Sequence, residues 1–321
     1  YWAVHVLRGR VVPRKYLGKL PAEKVLENYA KILKKTKEPF FAYIHLGDLH
    51  IPIKIPKSFK NFFGKVKKLK NINWWDYTDY KDQKGEKFRE YRENRMLLYD
   101  NALRYVDYSL EKFHNFLNRE GLLDNTIFIV TSDHGEGFWE HAEEGAKFFY
   151  IPGRHHGIDH GENLFNEFVE VPILMDGESV SKGNNADYYV STVDIFPTLM
   201  KLLGINTELP TNGINLLNRP NRKRFILSEA VGFGYEKKAL YVGKIKLLYA
   251  PKDKIKWIYD LNSDPFEKNP ITDDKIVRKF ERILIRYMVK IKTVYTKMLL
   301  KLKMLNMKRN KFEVKARKIL T

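Results

Sequence analysis

The sequence predicts an α/β fold organised around a mostly parallel sheet, followed by a small antiparallel sheet and a basic helical tail. Three observations carry that prediction. The run Ile127–Val130 is short, continuously apolar and rich in β-branched residues, the pattern of a strand covered on both faces, and it opens directly into Ser132-Asp133-His134-Gly135-Glu136. A long helical pattern ends at Gly121, only a few residues before that strand, and helix, short turn, strand is α/β grammar. Beyond residue 220 the texture changes to short strands separated by turn signals.

The elements follow in order. Residues 21–38 space Val25, Leu26, Tyr29, Ile32 and Leu33 at helical intervals, with Pro21 and Glu23 suited to a first turn and Pro39 ending the pattern. Phe40–Leu46 reads as a buried strand, followed by Gly47-Asp48-Leu49-His50 and a Pro-punctuated loop. Residues 57–90, rich in Lys and aromatics with weak periodicity, read as an irregular excursion. Within it, Trp74-Trp75 reads as surface packing, since no nucleic-acid motif accompanies it. From about Arg92 to Glu120, Tyr99, Leu103, Val106, Leu110, Phe113 and Leu117 mark a long helix, with Gly121 just past its end. Val171–Met175 returns as a strand, and Ser191–Leu203 as a helix ended by Gly204. Arg224–Ser228, Ala239–Val242, Lys246–Tyr249 and Trp257–Leu261 are short strands, with Gly243 at a hairpin turn. In the tail, Phe280, Leu284, Tyr287, Ile291, Val294, Met298 and Leu305 fall largely at helical spacing, an amphipathic pattern whose other face is basic. These divisions place a main domain over 1–220, a small antiparallel subdomain over 221–270 and a helical tail over 271–321.

Composition narrows the chemistry. With 321 residues and 44% hydrophobic content the chain buries a sizeable core. Zero cysteines remove disulfides, thiolate metal sites and a cysteine nucleophile from these residues. The net charge of +19 is concentrated at the end: Lys275–Thr321 holds 16 Lys and Arg against two acidic residues, a net +14. That basicity belongs to an appendage and says little about a substrate. The tail's apolar stripe reads first as docking on the body of the protein, with contact with an anionic membrane surface or self-association as alternatives, while no specific nucleic-acid partner is indicated. The chain opens at Tyr1 without a Met, which reads as part of a longer or processed protein.

The chemistry-bearing residues gather at strand ends. Asp133 and His134 emerge together where the apolar strand stops, and a carboxylate beside an imidazole is a pair able to hold a divalent metal. Five of the nine histidines (His134, His141, His155, His156, His160) fall between 134 and 160, among Glu136, Glu140, Glu143, Glu144 and Asp159. His50 and His160 sit in Gly- or Pro-containing loops beside predicted strands, placed to contact a bound anion or protonate a departing alkoxide. His141, His155 and His156 match no such pattern and read as solvated loop residues, and Asp100 and Asp107 on the long helix read as structural.

Five blocks in order resemble the sulfatase family of the alkaline phosphatase superfamily: Phe40–His50 (FFAYIHLGDLH); Tyr99-Asp100 and Tyr105–Asp107 leading into NTIFIVTSDHGE; His160–Glu167 running to Val171-Pro172; Val193–Leu199; and Tyr259–Glu267 (YDLNSDPFE). The resemblance implies an α/β/α sandwich with a smaller C-terminal sheet domain. It implies Asp133 and His134 as metal ligands, and His50 and His160 as the groups touching the sulfuryl oxygens or the leaving group. It also implies a divalent ion, Ca²⁺ by family likeness, although an imidazole ligand suits Mn²⁺ or Zn²⁺ better. Two departures stand out. Glu170 occupies the place where the family often has Arg before Val-Pro, and the family's amino-terminal block has no counterpart: no Ser or Thr precedes x-Pro-x-Arg, and the one Asp-Asp pair is Asp273-Asp274 in the tail.

The leading expectation is therefore the carboxyl-terminal portion of a metal-dependent hydrolase of sulfate esters, whose nucleophile lies outside this chain. A phosphodiester or phosphonate hydrolase, or a phosphoryl-group transferase of the same superfamily, is the first alternative. A non-catalytic member that binds an anionic surface is the second.

Overall fold

The computed structural model describes residues 20–36, 39–68, 76–151, 156–178, 180, 183, 188–218, 224–230 and 232–320, with the backbone alone at 230, 302 and 305–320. Trp74-Trp75 and His155, singled out above, lie outside the described residues, as does the side chain of Leu305. The chain divides into two compact units, Tyr1–Phe128 with His155–Ile158, and Ile129–Arg154 with Asp159–Thr321.

The first unit is organised by two helices, α1 (Ala22–Leu33) and α2 (Gly85–Arg119). The predicted apolar stripe of α1 packs Leu26, Tyr29 and Leu33 against Phe113 and Leu117 of α2. The N–H groups at the start of α1 that lack partners within the helix find them in distant chain: Ala22 donates to the Asp48 carboxylate at 3.0 Å and Glu23 to the Tyr105 hydroxyl at 3.3 Å. Asp48 is buried, and burial raises its pKa against the opposing pull of that backbone N–H. The Asp48 of the Asp-Leu-His triplet is thus a helix anchor. α2 ends as its glycine predicted: Gly121 takes φ 66°, and the Leu122 N–H reaches the Leu117 carbonyl at 2.9 Å.

Two expectations change here. α2 starts at Gly85, seven residues before the predicted start. Phe40–Leu46 is extended but joins no ladder among the described residues. Its side chains still alternate as a strand's do, Phe40, Ala42, Ile44 and Leu46 packing on the α1–α2 core while Phe41 and Tyr43 are exposed. Hydrophobic alternation sets the conformation; ladder assignment requires a hydrogen-bonding neighbour as well. The irregular excursion lies on α2, where Asn101 accepts from the Phe63 N–H and donates to the Lys60 carbonyl, and Asn94 exchanges two bonds with Lys67.

The second unit is built on a four-stranded antiparallel meander in the order β3 (Phe225–Ala230), β4 (Lys237–Val242), β5 (Ile245–Ala250), β6 (Ile255–Asp260). Val242 pairs with Ile245, so Gly243-Lys244 forms a two-residue turn with Gly243 at φ 61°, as predicted. Period-two alternation sorts the side chains by face. Ile226, Ala239, Tyr241, Leu248, Ala250, Ile255 and Tyr259 pack under Phe149, Leu164, Phe165 and Phe168, the segment that carries the histidine-rich loop. Phe225, Leu227, Leu240, Leu247 and Ile258 face the other way, onto Val277, Phe280, Leu284 and Tyr287 of α6 (Asp274–Leu320). The predicted amphipathic tail thus begins as a cover for the sheet.

Two further strands, β1 (Phe128–Thr131) and β2 (Ile173–Asp176), pair with each other. Short helices α3 (Ala142–Phe148) and α4 (Asn166–Val169) lie between them in sequence, and α5 (Ile195–Leu202) follows. Gly204 closes α5 at φ 63°, with the Ile205 N–H on the Met200 carbonyl at 2.9 Å.

Candidate metal and anion site

β1 ends at Thr131, and the chain turns through Ser132, whose hydroxyl donates to the His134 carbonyl at 2.7 Å. Gly135 is the tightest point of the turn. Its N–H donates to the Phe168 carbonyl at 2.9 Å, and a Cβ there would stand 2.1 Å from the Glu167 carbonyl oxygen. Only glycine allows that approach. The turn delivers His134 face to face with His160, rings 3.7 Å apart at 24°. Asp133 lies beside them, one oxygen 3.6 Å from His134 Nε2, with its side chain mostly exposed.

His160 Nδ1 faces two carboxylates, Asp159 at 2.9 Å and Glu136 at 3.3 Å. Burial pulls its pKa down, but the hydrogen bonds and charges of Asp159 and Glu136 outweigh it and raise it to about 9. His160 is accordingly a cation near neutrality in the metal-free protein. One nitrogen of each imidazole and one Glu136 oxygen lie within 4.8 Å of one another, a spacing that could accommodate a single ion. The donor set fits a divalent metal, since Glu136 Oε1 is buried with no hydrogen-bond partner among the described residues.

Glu136 was not singled out in the sequence, though it adjoins the Asp-His-Gly motif. His141, which its loop setting suggests is solvated, is instead buried, stacked on Phe165 at 3.7 Å, with Nδ1 at 2.7 Å from Glu167 Oε1 and Nε2 at 3.0 Å from the Phe266 carbonyl. Both neighbours are acceptors, 26 and 125 residues away in sequence, so the ring acts as a brace. A second buried network lies beneath it. Lys246 Nζ meets Glu267 Oε1 at 2.5 Å and Asn166 Oδ1 at 2.9 Å, Tyr241 donates to the same Asn166 oxygen, and the Asn166 N–H donates to Glu267 Oε2 at 2.6 Å. Asn166 opens α4, whose next residue supplies both the carbonyl against Gly135 and the carboxylate on His141. The sheet therefore fixes α4, and α4 backs the Asp133–Glu136 turn.

A loop from β3 to β4 borders the same site. The Phe233 ring would touch a Cβ at Gly161 at 3.2 Å, directly after His160. His50 belongs to the other unit, on an exposed turn where its backbone N–H donates to the Gly47 carbonyl at 3.2 Å.

Comparison with known proteins decides the family. The sulfatase family model matches residues 8–205, more than half of the chain. The chain belongs to the sulfatase family. Lipoteichoic acid synthase 2 of Bacillus subtilis is 29% identical over 126 residues, 39% of this chain and 18% of that protein. Choline-sulfatase of Rhizobium meliloti is 26% identical over 186 residues, 55% of this chain and 33% of that protein. This sulfatase-family chain thus spans a third or less of the curated relatives' own lengths. Its fold is that of solved sulfatases: the structure of BT1596, a 2-O GAG sulfatase, superposes with a TM-score of 0.55 at 18% identity, covering 84% of this chain and 58% of that one. The α/β class with a C-terminal antiparallel sheet is therefore established.

Proposed function

We propose that this chain supplies the divalent-metal half of an active centre that hydrolyses sulfate esters. The observation that carries the reading is the His134–His160 stack with Glu136 beside it, on the Asp-His-Gly-Glu turn of a sulfatase-family chain. Asp133, His134 and Glu136 are the donors that would hold the ion, and when bound it supplies Lewis acidity toward the ester oxygens. Two carboxylates with one imidazole accommodate Ca²⁺, Mn²⁺ or Zn²⁺, the nitrogen favouring the latter two. His160, oriented by Asp159 against its Nδ1, donates to an anionic oxygen of the substrate and opposes the charge that builds as the ester bond breaks. For His50 the likeness of its Phe40–His50 block to the family is what supports a role as an anion contact or as the donor of a proton to the departing alkoxide.

A second reading, transfer or hydrolysis of a phosphoryl group, is favoured by the imidazole donor and by the similarity to a synthase as well as to a sulfatase. Both readings share the residues and differ in the ester cleaved.

Calorimetric titration with Mn²⁺ and Ca²⁺ tests the ligand set. Asp133→Ala, His134→Ala and Glu136→Gln should each weaken metal binding, on the order of 10–100-fold. His160→Gln should leave metal affinity intact and abolish sulfate binding by the loaded protein. Loss of metal from His160→Gln would make His160 a ligand and overturn the assignment. Turnover of aryl sulfate against bis-aryl phosphate by the full-length protein separates the two readings.

A further inference from the structure

The middle of α6, residues 282–304, presents a surface that the site chemistry does not use. Its first turns cover the sheet through Val277, Phe280, Leu284 and Tyr287. At about 100° per residue the opposite face carries Arg282, Ile285, Arg286, Val289, Lys297, Leu300, Lys303 and Met304. That face is exposed throughout, and Ile285, Val289, Leu300 and Met304 are each more than half accessible to solvent. Cations and large apolar side chains are interleaved on it. Among the described residues no ion pair engages Arg282, Arg286, Lys290, Lys297 or Lys303.

The flank of the same helix borders a cleft of about 680 Å³, lined by Phe196, Leu209, Met288, Ile291, Val294 and Met298 among others. Its polar groups include Glu229 and Lys292. From Arg282 to Phe312 the sequence has ten Lys and Arg and no Asp or Glu.

We propose that α6 binds the surface of an anionic lipid membrane, its cations on the headgroups and its apolar side chains among the upper acyl chains. Charge selects this occupant. A second copy would bring an equally cationic helix to the face, and like charges at close range repel. Nucleic acid would satisfy the cations and leave a row of Ile, Val, Leu and Met without a partner, whereas a lipid surface matches both chemistries at once. No helix among the described residues is long and apolar enough to cross a membrane, so the contact is made from the surface.

The test uses the full chain and co-sedimentation with vesicles of phosphatidylglycerol and phosphatidylcholine in equal parts, against vesicles of phosphatidylcholine alone. Binding is expected to the anionic vesicles only and to fade in molar salt, where the screening length shrinks to about 3 Å. Arg286→Glu, Lys290→Glu and Lys297→Glu combined should reduce partitioning by about 100-fold or more. Val289→Ser with Leu300→Ser should reduce it by about tenfold, at residues whose exposure spares the fold. Failure to bind anionic vesicles, or a concentration-dependent dimer in sedimentation velocity that the charge reversals abolish, overturns the proposal. So does equal binding to heparin that the serine variant leaves untouched, which would mark a general polyanion site.

Discussion

Lys246 and Glu267 meet at 2.5 Å with their side chains wholly out of solvent, from a strand and from the loop beyond the sheet. Burial lowers the lysine's pKa and raises the glutamate's, in each case against the pull of the partner. Desolvation thus outweighs the attraction on both partners, as it can for a buried ion pair.

The first prediction follows from that balance. Lys246→Met strands a buried carboxylate and should cost about 3–5 kcal/mol in urea unfolding. Lys246→Met combined with Glu267→Gln removes both charges and keeps an acceptor for the Asn166 N–H, so it should recover most of the loss. Equal losses in the single and double variants would show that the pair contributes through packing alone.

Gly135 supplies the second prediction. Gly135→Ala drives a methyl group onto the Glu167 carbonyl, a backbone atom that cannot swing away, and should destabilise the protein by about 1–3 kcal/mol. Because the displaced residues are the turn that carries His134 and the helix that braces His141, metal affinity should fall along with the melting temperature. A variant as stable as the parent with unchanged metal affinity would contradict the tight approach.

The third concerns pH. His160 is held protonated, its pKa raised from the ordinary histidine value to about 9. A group with a raised folded-state pKa stabilises the protein fully below the unfolded value, about 6.5, and loses that contribution as pH rises through the folded value. In the presence of chelator the melting temperature should therefore decline between about pH 6.5 and about pH 9, and His160→Gln should flatten that decline. An unchanged slope in the variant would assign the pH dependence to another group.

Much of the fold was legible because local rules sufficed. Pro21 and Pro39 bracket α1, Gly121 and Gly204 close their helices, Gly243 makes a hairpin turn, and the four C-terminal strands alternate as read. The tail's spacing was also legible: Phe280, Leu284 and Tyr287 meet the sheet, while Ile291, Val294 and Met298 line the cleft. What local patterns missed depends on distant chain. Phe40–Leu46 has a strand's alternation but no ladder among the described residues, and alternation alone cannot supply a neighbour. The first turns of α2 are hidden in a Lys- and Arg-rich stretch with little apolar period. His141 looked solvated because the carboxylate and carbonyl that bury it come from elsewhere in sequence. His134 and His160 stood out by their motifs, whereas the carboxylate between them, Glu136, carried no signal beyond adjacency.

The packing of Phe165 and Phe168 on the C-terminal sheet has a consequence for synthesis of the chain. The segment bearing His134, Glu136 and His160 leaves the ribosome before the strands that cover it, and 91 residues separate Phe168 from Tyr259 of the last strand. At about 5–20 residues per second the phenylalanines wait on the order of 5–20 s for their covering surface. The meander, by contrast, forms from neighbours in sequence as soon as it emerges. The histidine turn is made early and organised late, and during the interval those aromatic side chains are an aggregation-prone surface.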